Sequence, residues 1–114
     1  MKERKKLLDE LLNFEQPIGH IKTALAEFPW DSDVELAFLS ARHFENLLKL
    51  YLDDSTTVSE VESWANAIEG RDDIGFASDN KKILRELIHE LANPLLTQPL
   101  TKKRARELLN QLGL

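Results

Sequence analysis

The sequence contains no cysteine. Disulfides, thiol nucleophiles and cysteine-based metal sites are therefore excluded, and the fold must rest on its apolar core. At 114 residues the chain is long enough for one domain with such a core. Glycine is also scarce, with four residues that are too scattered to form a phosphate-cradling loop. No serine lies in a Gly-x-Ser-x-Gly elbow. No apolar run approaches the ~18 residues needed to cross a bilayer. In the opening MKERKKLLDELLNF, an acidic Asp9-Glu10 pair interrupts the place where a secretory signal would stay apolar. The default expectation is a cytoplasmic protein, with which the lack of cysteine is compatible.

Positive charge is short in the middle of the chain. Residues 27–79 hold thirteen acidic and three basic side chains, a net −10 within a total of −5. Residues 1–26 sum to +1 and residues 80–114 to +4. A segment this acidic repels nucleic acid and anionic lipid and attracts a basic protein surface. Two readings follow: the acidic middle either pairs internally with the basic ends or faces a cationic partner.

What is plentiful is helical periodicity. Leu7, Leu8, Leu11, Leu12 and Phe14 form a first apolar stripe, and Pro17 is placed to start a second helix through Ile18, Ile21, Leu25 and Phe28. PWDSD (29–33) reads as a turn, and residues 34–39 fit either early helix or a short extended piece. Ser40 caps a helix with Phe44, Leu47, Leu48, Tyr51 and Leu52 on one face, ending near Asp53-Asp54-Ser55. Thr57-Val58-Ser59-Glu60 fits a capping box, followed by Val61, Trp64, Ala65 and Ile68, with Gly70 as the stop. Residues 71–79 should form a loop, with Ile74 and Phe76 pinned to the core. Ser78 or Asp79 caps a helix through Ile83, Leu84, Leu87, Ile88 and Leu91; Thr101 caps a last one through Ala105, Leu108, Leu109 and Leu112. No alternating strand pattern of useful length is present. The expected fold class is all-α, a single-domain bundle of about five short helices spanning residues 1–114.

Chemistry-bearing patterns are weak. Glu86 and His89 have a metal-ligand spacing, but no second such motif accompanies them and both fall off the apolar stripe. His20, His43 and His89 are scattered, and a general base needs both a partner and a pocket. Lys102, Lys103, Arg104 and Arg106 make a basic helix without interleaved aromatics, read as a solvated face, as internal pairing or, less readily, as a nucleic-acid contact. Trp64 lies on a core stripe. Trp30, in a turn, either plugs the core edge or serves as an exposed anchor of the kind that dominates interfaces. No enzyme activity, cofactor or metal site is expected.

The carboxylates fall into groups. Asp31 and Asp33 share one turn; Glu62 and Glu69 lie on one helix flank. Asp53 and Asp54, and again Glu69, Asp72 and Asp73, sit near helix C-termini, where the helix dipole disfavours negative charge. The expected partner-binding residues are Trp30, Asp53, Asp54, Glu62, Glu69, Asp72 and Asp73.

FPWDSD (28–33), VSEVESWANAIEGRDDIGF (58–76) and LIHELANPLL (87–96) resemble a family of short bacterial all-helical proteins to which no chemistry is assigned. In size, helicity and acidity the chain is also similar to immunity proteins against bacteriocins and contact-dependent inhibition toxins. That likeness implies a cytoplasmic protein that blocks a basic, nuclease-type toxin domain. The leading expectation is thus a small acidic protein-binding module with a basic partner. The alternative is a structural or regulatory adaptor that self-associates or docks on a larger assembly, with Leu39 and Leu50 as contacts.

Overall fold

A computed structural model describes residues 3–29, 32–77 and 81–113. The chain order is α1 (Arg4–Leu12), α2 (Ile18–Leu25), β1 (Ala37–Leu39), α3 (Ala41–Leu52), α4 (Val58–Ile68), β2 (Ile74–Phe76), α5 (Lys81–Ala92) and α6 (Lys102–Gln111). The mostly helical architecture is as expected, with six helices among the described residues. The all-α expectation needs one correction: β1 and β2 pair in parallel, with Ala37 opposite Ile74 and Leu39 opposite Phe76. Residues 34–39 thus contribute a short strand, and the expected 71–79 loop contains its partner. The segment bounded by turn signals is too short for a helix, and its parallel mate lies beyond two intervening helices.

The helices begin and end for local reasons. Thr57 Oγ1 accepts from the Glu60 N–H at 3.2 Å, but Glu60 does not return a bond to the cap as the box predicts; its carboxylate accepts from Thr56 Oγ1 at 2.7 Å. Gly70 takes the left-handed conformation, φ 84°, just past α4. Thr101 Oγ1 accepts from the Arg104 N–H at 3.1 Å and starts α6. At α3, His43 fills the position where a capping box normally carries Glu or Gln: the Ser40 N–H donates to His43 Nδ1 at 3.0 Å. The expected cap of α5 at Ser78 or Asp79 lies outside the described residues.

One core joins all elements. Leu8, Leu11, Leu12, Phe44, Leu47, Leu48, Trp64, Leu84, Ile88 and Leu108 are fully buried within it. α4 packs on α5, α1 on α2, and α3 on α6, while β1 rests on α1. Trp64 is at the centre, as its stripe predicts. Its ring meets Phe44 edge-on at 5.6 Å, and its indole N–H donates to the Leu11 carbonyl at 2.8 Å. The buried indole is therefore satisfied as well as packed. Leu39 is also core, which removes it from the expected contacts of a self-associating adaptor; Leu50 is half-buried.

Candidate binding surface

The expected acidic site does not assemble as one patch. Asp73 is fully buried. Its carboxylate accepts from Arg71 at 2.8 and 2.9 Å and from Arg4 Nε at 2.8 Å. Burial pushes its pKa up, but the two guanidinium groups outweigh that and leave it below the usual carboxylate range. Asp73 therefore joins the N-terminal helix to the sheet, and its expected place on a partner-binding surface is corrected. Its main chain works with it: the Asp73 carbonyl accepts from the Leu36 N–H at 2.8 Å.

Asp54 takes φ 65° after α3 and pairs with Lys102 at 2.7 Å. The same ammonium donates to the Tyr51 carbonyl and lies 4.3 Å from the centre of the Tyr51 ring. A cation from α6 thus satisfies the C-terminus of α3, where dipole and carboxylate both favour it. Glu69 accepts from Asn93 Nδ2 at 3.1 Å and lies 3.0 Å from His89 Nδ1, tying α4 to α5 across the surface. Arg104 holds Glu90 through two bonds of 2.8 and 2.6 Å, and this pairing raises the guanidinium pKa further. Internal pairing therefore engages Asp54, Glu69 and Asp73 of the acidic middle. It also engages Lys102 and Arg104 of the basic helix.

Asp53, Glu62 and Asp72 remain. Asp53 is exposed, and hydrogen bonding from the Ser55 side chain and N–H holds its carboxyl below the usual range. Glu62 is half-buried on α4 beside Pro94, and Asp72 is exposed past the end of α4. α4 is eleven residues, about 16 Å long, and separates Asp53 at one end from Asp72 at the other. Trp30 and Asp31 lie outside the described residues.

A different grouping surrounds the sheet. Asp33 and Glu35 precede β1, Asp72 precedes β2, and all three are exposed. Among the described residues none of the three forms an ion pair. Val34 and Phe38 stand beside them, 59% and 53% exposed. The Glu35 carboxyl lies against Gly75, where an added Cβ would come within 2.5 Å of it. Gly75 is in register with Phe38, so carboxylate and ring occupy neighbouring positions on the outer face of the sheet. This lip joins negative charge to exposed apolar surface. Of its members only Asp72 was expected in the site. Asp33 is grouped with Asp31 in a turn and not in the site, and Val34, Glu35 and Phe38 are missed because residues 34–39 fit either helix or an extended piece; Glu35 becomes part of a surface only once β1 exists.

A cleft of about 290 Å³ is lined by Lys22, Leu25, Ala26, Asn66, Ala67 and Arg71, and Arg71 is already bound to Asp73. Among the described residues no three His, Asp or Glu side chains converge as a metal site requires. Glu86 and His89 both face solvent. No helix among the described residues is long and apolar enough to cross a membrane. The fold defines a small, mostly helical domain with a two-stranded parallel sheet. Comparison with known protein families, with curated proteins and with solved structures found no match to this chain.

Proposed function

We propose that this chain is a protein-binding module of the immunity type that holds a basic, nuclease-type toxin domain against the lip of its sheet. The observation that carries this reading is the group of three exposed carboxylates, Asp33, Glu35 and Asp72, without ion-pair partners among the described residues and beside exposed Val34 and Phe38. Charge of one sign steers a cationic partner, and the apolar side chains give it area to bury. No catalytic step is assigned to the chain. The test is stopped-flow association with basic nuclease toxin domains across ionic strength. The on-rate should fall by about tenfold or more between low and high salt. A rate indifferent to salt would count against the reading.

A second reading, the self-associating or docking adaptor, has its own observation. Leu95 is 100% and Leu96 78% exposed in the turn after α5. Such side chains in sequence invite apolar contact. Sedimentation at increasing concentration distinguishes it: a dimer lost on Leu95→Ser/Leu96→Ser favours the adaptor, and a monomer throughout removes self-association.

A further inference from the structure

The ladder between the strands runs from the Ala37 N–H to the Asp73 carbonyl at 3.3 Å and from the Ala77 N–H to the Leu39 carbonyl at 2.8 Å. In a parallel pair, a residue that bonds the neighbouring strand uses both of its main-chain groups on that side. Ala37 and Leu39 therefore face β2, and the N–H and C=O of Phe38, between them, point to the opposite edge. Among the described residues nothing bonds to either group. The Phe38 side chain is itself 53% exposed. β1 thus leaves the Phe38 N–H and C=O without a bond among the described residues, on the side away from β2, the kind of main-chain pair that other chains use for strand addition.

The charges around this edge are selective. Proteins commonly guard an edge with charge, especially lysine. Here Asp33 and Glu35 lead into the strand and Asp72 flanks its mate, while the cations at the sheet, Arg4, Arg71 and Arg85, are engaged with Asp73 and the Phe76 ring. A second copy of this chain would bring the same acidic lip and a further net charge of −5. An extended segment carrying lysine or arginine is complementary instead. On the outer face, the Glu35 carboxyl over Gly75 and the ring of Phe38 in register with Gly75 can engage one cationic side chain together, by ion pairing and through the ring face.

We infer that β1 accepts an extended, cationic segment of a partner as an added strand, with Phe38 supplying the main-chain bonds and Glu35 and the Phe38 ring holding a lysine or arginine. This deepens the proposed basic-partner function and rests on it.

The experiment titrates the full chain with a seven-residue peptide alternating lysine and valine, followed by amide NMR and hydrogen exchange. Controls are the same peptide with a central proline and a glutamate–valine counterpart. On saturation with the lysine–valine peptide the Phe38 amide should exchange at least tenfold more slowly, and neither control should protect it. Gly75→Ala, which displaces the flexible Glu35 carboxyl without removing its charge, and Glu35→Gln should each weaken peptide binding about threefold or more. Salt-sensitive binding that leaves the Phe38 amide unprotected would overturn strand addition while the basic-partner reading stands. No binding at millimolar peptide would overturn both. Phe38 protection that rises with protein concentration alone would make the occupant a second copy and overturn the cationic assignment.

Discussion

Asp72 and Asp73 are adjacent, carry the same charge and have opposite roles. Asp73 is buried between Arg71 and Arg4 and fastens α1 to the sheet, whereas Asp72 faces solvent on the lip. Burial and pairing make one carboxylate a structural part, while the other is exposed and forms no ion pair among the described residues. The same contrast divides the wider acidic segment. Asp54 and Glu69 are held by groups from α6 and α5, whereas Asp33 and Glu35 are not. Formal charge along the sequence therefore overstates the charge on offer to a partner.

The most severe way to probe this contrast is to remove each aspartate. Asp73→Ala removes the buried carboxylate that bridges Arg71 and Arg4 and should cost about 3–5 kcal/mol, read from the shift in denaturant midpoint. Asp72→Ala should change stability by no more than about 0.5 kcal/mol. Equal costs would erase the distinction. The pH dependence sharpens it. The folded-state pKa of Asp73 lies below its unfolded value, so its contribution is complete above about pH 4 and is lost as pH falls through the lower folded value. Acid titration of stability should show this limb in the native chain and a flatter one in Asp73→Asn.

A smaller effect arises at His43. Burial lowers its pKa, with Asp9 opposing, and the neutral ring accepts the Ser40 N–H at the start of α3. Its contribution is present above the unfolded value near pH 6.5 and is lost as pH falls through the lower folded one. His43→Gln keeps a capping acceptor that does not titrate. The difference between the two stability curves should reach on the order of 1 kcal/mol below that window. Smallest is Lys102→Ala, which removes the pairing with exposed Asp54 together with the contacts to the Tyr51 carbonyl and ring, and should cost about 1 kcal/mol by chemical denaturation. A larger loss would show that the junction of α3 and α6 depends on this one side chain.

The helices were legible because each carries a stripe with the helical period, and the Thr57, Thr101 and Gly70 signals marked real boundaries. The strands were not. Three residues are too few to display alternation, and the β1–β2 pairing joins segments with two helices between them. Asp73 was misplaced on the surface for a related reason: one of its cations, Arg4, is 69 residues away in sequence. Part of the site was visible, since Asp72 was singled out from its charge and position. Glu35 and Phe38 belong to it only through register with Gly75, a non-local fact. His43 escaped notice as a cap because its position in the box usually holds Glu or Gln.

The most direct measurement separates the location of charge from its amount. Two variants each lose three carboxylates: Asp33→Asn/Glu35→Gln/Asp72→Asn on the lip, and Asp53→Asn/Glu62→Gln/Glu86→Gln elsewhere. Their low-salt association rates with a basic toxin domain that binds the native chain are compared. The lip set should slow association by about tenfold and the other set by less than about threefold. Equal slowing, or a larger effect from the second set, would contradict a binding surface centred on the sheet.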